Sequence, residues 1–125
     1  MVDDDALMRE LLAEWLSEAG YRVRQAENGA NALRMLRSRP AALLITDMDM
    51  PGRDGAQTLD DARRMLPGLA VIAISGGARD GRQNWAATAL KLGAAKALAK
   101  PFERHDLLAA VEEVVPQDKS GAVRA

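Results

Sequence analysis

The residues best suited to chemistry stand directly after runs of apolar residues. Asp3 and Asp4 follow the first two apolar residues of the chain, and Asp47 follows a longer apolar run. Ser75 and Lys100 each follow a further run of this kind. If the runs are parallel strands, their carboxyl ends face one crevice, which is where binding and reacting residues gather in open α/β sheets. That crevice would contain three carboxylates, one hydroxyl and one ammonium group.

This set of groups is suited to the transfer of a phosphoryl group onto a carboxylate. Mg2+ prefers hard oxygen ligands and combines one or two carboxylates with waters and phosphate oxygens. Asp4 and Asp47 could hold the metal, with Asp3 supporting its waters. Lys100 and Ser75 could hold the remaining phosphate oxygens and neutralise the transferring group. Each residue alone also fits an ordinary turn or surface position, and only the combination at successive strand ends favours the chemical role.

The apolar pattern predicts elements that would bring these residues together. Short apolar runs predict strands, two of them buried on both faces, whereas apolar residues at helical spacing predict helices between them. The alternation indicates an α/β fold with a parallel sheet covered by helices on both faces. The predicted strands are Tyr21–Ala26, Ala41–Thr46, Leu69–Ile74 and Lys96–Ala99, after a first helix over Ala6–Ala19.

Composition excludes several other functions. The 125 residues fit a single domain, and a formal net charge of -1 gives no basic footprint for nucleic acid. No apolar run approaches the roughly 20 residues that cross a bilayer, and the acidic start does not resemble a signal peptide. Cysteine is absent, which excludes disulfides and Cys-ligated zinc and is compatible with a cytoplasmic protein.

The segment from Asp47 to Gly55, DMDMPGRDG, resembles the receiver domain of two-component response regulators. That family places its phosphoacceptor aspartate four residues before a Pro-Gly turn. Its acidic pair and the arginine of its first helix match Asp3-Asp4 and Arg9, and its hydroxyl residue matches Ser75. Its Lys-Pro-Phe ending matches residues 100–102. The resemblance implies a flavodoxin-like, doubly wound, five-stranded parallel sheet of order 2-1-3-4-5.

The resemblance also implies a role for each residue. Asp47 would be the phosphoacceptor, and Asp3 and Asp4 would form the acidic Mg2+ pocket, with the backbone carbonyl of Asp49 as a further ligand. Ser75 would bind a phosphate oxygen and move toward it on activation, and Lys100 would pair with the phosphoryl group. The donor would be a histidine kinase or a histidine phosphotransfer protein. The output would be a downstream protein that reads the face formed by the fourth helix, the fifth strand and the fifth helix.

The sequence departs from the family pattern in three places. Only Met1-Val2 precede the acidic pair, which predicts a shortened first strand that leaves backbone groups to be paired in another way. Ala97 stands where the family often has an aromatic residue, so we expect a signal to travel by the fourth helix and its loop. The stretch Gly76–Gly81 is glycine-rich, which predicts a mobile loop.

Residues 1–115 are therefore interpreted as a receiver domain and residues 116–125 as a C-terminal tail or linker. We expect a phosphoacceptor that acts on no separate substrate, and so not an enzyme in the usual sense. The sequence leaves a homodimer open. It also leaves open the alternative of a receiver-like docking module without regulated phosphorylation.

Overall fold

The computed structural model describes residues 6–48, 55–75, 85–100, 102–115 and 123–124. Five helices and four strands are present in this part of the chain. The helices are α1 (Ala6–Glu18), α2 (Gly29–Ser38), α3 (Gly55–Met65), α4 (Trp85–Lys91) and α5 (Arg104–Val114). The strands are β1 (Leu43–Asp47), β2 (Ala70–Ser75), β3 (Lys96–Ala99) and β4 (Val123–Arg124).

Local sequence accounts for where several helices begin and end. The Asn28 side chain accepts a hydrogen bond of 2.8 Å from the Asn31 amide and so caps the start of α2. Glu103 and Asp106 form a capping box at the start of α5. Gly20 follows α1 with a φ of 100°, a backbone conformation that side chains other than glycine rarely adopt.

The described strands form one parallel sheet with the order β3-β2-β1-β4. Every residue of β1 is buried, and all of β2 except its first residue is buried as well. Strands buried on both faces are typical of parallel sheets that lie between helices. The core is almost entirely aliphatic, and its fully buried larger side chains come from helices and strands alike: Leu12, Leu16, Leu36, Leu43, Leu44, Ile45, Leu59, Leu69, Ile72, Ile74 and Leu107.

The predictions for three strands are confirmed, with β3 matching its predicted range and β1 and β2 beginning and ending one or two residues later. The strand predicted over Tyr21–Ala26 is not formed, and of these residues only Ala26 makes an isolated backbone pairing of the kind found between strands. The segment 116–125 was predicted to be a tail or linker, but Val123–Arg124 pairs with β1. The glycine-rich stretch Gly76–Gly81 lies outside the described residues.

The length and apolar character of a helix decide whether it can cross a membrane. In the described ranges, no helix combines the length and the apolar character that a bilayer span needs.

Candidate functional site

Asp47 is held at the carboxyl end of the central strand β1. It lies opposite Ile74 in the β1–β2 register, and the next amide, that of Met48, donates to the Ile74 carbonyl at 2.7 Å. Because the pairing with β2 runs through Asp47 and continues to the Met48 amide, the direction of the backbone at the aspartate is fixed. The residue is only 3% exposed, so its carboxylate is presented in a largely dry setting at the end of the sheet.

Lys100 brings a cation to that buried carboxylate. Its Nζ lies 3.1 Å from Asp47 Oδ2, a distance that makes both a hydrogen bond and an ion pair between residues 53 positions apart. The side chain of Lys100 is 21% exposed and that of Asp47 is 4% exposed. A carboxylate this buried requires a partner, because an unpaired charge in an apolar setting is costly. The prediction that Asp47 and Lys100 meet at the strand ends is thus met by the geometry.

Ser75 ends the strand that lies between the other two residues. It is fully buried, pairs with Ala99 in the β2–β3 register, and accepts a hydrogen bond of 2.8 Å on its carbonyl from the Lys100 amide. The backbone bond fixes Lys100 beside the end of β2. Three strand ends therefore contribute one carboxylate, one hydroxyl and one ammonium group at one edge of the sheet.

Thr46 is a buried polar residue that the sequence did not single out. It precedes Asp47, is fully buried, and its Oγ1 donates to the Asp47 carbonyl over a long distance of 3.4 Å. The feature of the sequence that could have identified Thr46 is a hydroxyl side chain at the end of an otherwise apolar run. The contact places the Thr46 hydroxyl beside the backbone carbonyl of the aspartate at the end of the strand.

The remaining predicted residues are not placed. Asp3, Asp4 and Asp49, which were predicted to form the metal pocket, lie outside the described residues, as does Pro101. Among the residues described, the one group of three metal-type ligands is Glu103, His105 and Asp106, which is exposed at the start of α5 and is no more than an acidic surface cluster.

Comparison with known proteins identifies the family. The chain belongs to the response regulator receiver domain family, which matches residues 1–112. The response regulator receiver protein CpdR of Brucella abortus is 35% identical over 120 residues, and the match covers 92% of this chain and 93% of CpdR. The transcriptional regulatory protein GlrR of Escherichia coli is 32% identical over 117 residues. That match covers 94% of this chain but 26% of GlrR, so the chain spans about a quarter of that longer regulator.

Solved structures agree with this assignment. The receiver domain of NtrX from Brucella abortus gives a TM-score of 0.84 at 31% identity, over 94% of this chain and 97% of that chain. A response regulator receiver domain protein from Clostridium thermocellum gives a TM-score of 0.81 at 28% identity, over 93% of this chain and 91% of that chain. The fold is therefore the flavodoxin-like receiver fold. The chain is a receiver module of the kind that serves two-component signalling, and its relatives are named as regulators and not as enzymes.

Proposed function

We propose that this receiver domain accepts a phosphoryl group on Asp47 from a histidine kinase or a histidine phosphotransfer protein. The observation that carries the proposal is the buried pair between Asp47 Oδ2 and Lys100 Nζ at the strand ends. An anionic nucleophile and an anionic phosphoryl donor repel each other, and a positioned cation reduces that repulsion during transfer. Membership of the receiver family supports the same role.

In the proposed transfer, a carboxylate oxygen of Asp47 forms a bond to phosphorus as the bond from phosphorus to the donor's histidine nitrogen breaks. The electron pair of that bond leaves with the imidazole, and Asp47 becomes an acyl phosphate. Lys100 exchanges its contact with the carboxylate for one with a phosphoryl oxygen, and its charge offsets the new negative charge. The Ser75 hydroxyl donates to another phosphoryl oxygen.

A divalent cation fits the donor chemistry of this edge of the sheet. Asp47 presents a buried carboxylate, the hard oxygen ligand that Mg2+ prefers. We propose that Asp3, Asp4 and the backbone carbonyl of Asp49 complete its ligand set. Bound Mg2+ would supply further positive charge to the phosphoryl oxygens. In the same proposal residues 1–115 form the domain, and its sheet has five strands in the order 2-1-3-4-5. That order counts from a first strand at Met1-Val2, so that β1, β2 and β3 are its third, fourth and fifth strands.

The output surface proposed here is the face of α4, β3 and α5. Lys96 on β3 and Glu113 on α5 form an exposed ion pair of 2.7 Å, and Ala97 lies in a cleft between the same two elements with Phe102 at its edge. Because alanine has no ring to rotate, the change would pass from Ser75 to α4. A downstream protein in the cytoplasm, or a second copy of the chain, would read this face.

The test is phosphorylation with a small donor. The protein is incubated with Mg2+ and either acetyl phosphate or phosphoramidate, and the intact mass is compared with that of Asp47→Ala. As a matched control, Asp60→Ala removes a half-buried carboxylate that pairs with Arg64 on α3, away from the strand ends. We expect one Mg2+-dependent phosphoryl adduct on the original protein and the control, and none on Asp47→Ala. A folded protein that gains no adduct would contradict the proposal and favour the docking module instead.

A further inference from the structure

The outer face of α1 carries two leucines and two glutamates at helical spacing. Leu7 and Leu11 are 79% and 40% exposed, and they are two of the three large apolar side chains that the described part of the chain exposes to solvent. Glu10 and Glu14 are exposed as well. At about 100° per residue, the four positions fall within one arc of about 100°. This arc lies on the side of the helix opposite to the buried Leu16, so the face points away from the core.

A cleft between α2 and α3 presents the opposite charge. It has a volume of about 450 Å³ and is lined by Ala30, Leu33, Arg34, Arg37, Asp61 and Met65. Both arginines are exposed. The Asp61 carboxylate already accepts a hydrogen bond of 3.0 Å from Gln57 Nε2 on the same helix. Two guanidinium groups and one carboxylate give this apolar cleft a net positive charge.

The spacing of the two surfaces is compatible with direct contact. An amphipathic helix that binds in a groove uses apolar anchors at positions such as i and i+4, which is the spacing of Leu7 and Leu11. The two glutamates are separated by about 6 Å along α1, and the two arginines by about 4.5 Å along α2. Each arginine can therefore face one glutamate while the leucines contact the apolar lining.

A contact between these surfaces requires two molecules. Within one copy α1 packs against α5, whereas α2 packs against α3, and the outer face of α1 points to solvent. We propose that the cleft between α2 and α3 binds the outer face of α1 from a second copy of the chain. Because the two surfaces differ, the contact is heterologous, and each copy keeps one unused surface that can bind a further copy. A contact this small is of the weak, transient kind.

The test uses two neutralised variants of the full chain. The cleft variant is Arg34→Gln with Arg37→Gln, and the α1 variant is Glu10→Gln with Glu14→Gln. The matched control is Lys91→Gln, which removes an exposed cation on α4, outside the cleft. Sedimentation velocity measures the average mass from about 10 µM to about 1 mM protein, a range in which weak contacts form. Circular dichroism confirms that each variant is folded.

We expect the average mass of the original protein and of the control to rise with concentration past that of a dimer at low salt. Each variant alone should associate about tenfold more weakly, because two exposed ion pairs are lost. The two variants change the net charge in opposite directions, so a general effect of charge cannot weaken both. An equimolar mixture of the variants should form dimers and stop there, since only one intact α1 face and one intact cleft remain in each pair.

Several results would overturn the proposal. One is a mass that stays that of a monomer up to about 1 mM, and another is a mass that levels off at a dimer, which indicates an isologous contact. Equal weakening by Lys91→Gln would also overturn it, as would a mixture that associates no better than either variant alone. No phosphoryl donor is present, so failure of Asp47 phosphorylation would not affect this result.

Discussion

Replacing Lys100 with methionine removes the ammonium group that faces the buried carboxylate of Asp47. Methionine keeps most of the volume of the side chain, so the change mainly removes charge. Asp47→Asn is the complementary change, since it neutralises the carboxylate at constant size. The two single variants and the double variant form a cycle that isolates the energy of the pair.

The structure sets the expected size of that coupling energy. Lys100 Nζ and Asp47 Oδ2 are 3.1 Å apart, and the Asp47 side chain is only 4% exposed. Hydrogen bonds to charged groups typically contribute about 1.5–3 kcal/mol to stability. Lys100 is 21% exposed, so solvent screening reduces its contribution. We therefore expect a coupling of about 1–2 kcal/mol, and a loss of about 2 kcal/mol for Lys100→Met alone because it leaves a charge buried without this partner.

Urea unfolding at neutral pH measures these free energies, provided that the four proteins share one m-value. The matched control is the cycle of Lys96→Met and Glu113→Gln. That pair is shorter, at 2.7 Å, but its side chains are 37% and 62% exposed, so we expect a coupling of about 0–1 kcal/mol. A coupling for Asp47 and Lys100 within about 0.5 kcal/mol of zero, or smaller than that of the control, would refute the reasoning from burial.

Three further predictions concern stability. Gly93→Ala should lower the free energy of unfolding by about 1–3 kcal/mol in urea melts, because the glycine has a φ of 111° and a Cβ would lie 2.8 Å from Arg63 Nε. Gly68 has open space around it, so Gly68→Ala should change the free energy of unfolding little. An equal loss in both variants would contradict this prediction. Burial, with the charge of Glu112 as a smaller cause, raises the pKa of Tyr21 above 10.0, so the protonated phenol favours the folded state and stability should fall as the pH rises above about 10. That alkaline loss should be smaller in Tyr21→Phe, and an identical pH profile would exclude the phenol as its source. Asn28→Ala should cost about 1 kcal/mol through loss of the α2 cap, and thermal unfolding that is unchanged would show that the 2.8 Å contact contributes nothing.

The sequence predicted the strands that carry the site because their signals are local. The continuous apolar runs before Asp47 and Ser75 can be buried only in the middle of a sheet, and the rule that parallel strand ends meet at one edge then brings Lys100 to Asp47. Edge pairing is a different matter, because it depends on backbone groups that the side-chain pattern does not report. The strand at Val123–Arg124 was therefore missed, and Tyr21–Ala26 was predicted to be more regular than it is.

The arrangement of the three strand ends explains why a lysine is suited to position 100. Lys100 follows β3, whereas Asp47 ends β1, and the two strands are separated by β2. Adjacent strands lie about 4.8 Å apart, so the cation must reach across nearly two strand spacings and pass the end of β2, where Ser75 lies. A long flexible stem with a compact charge can do so, while its apolar carbons remain buried. The Lys100 amide is bonded to the Ser75 carbonyl, so the residue that reaches Asp47 is anchored on the strand between them. A group added to Asp47 that drew the Lys100 ammonium away would therefore change the contact between Lys100 and Asp47 at a point next to Ser75.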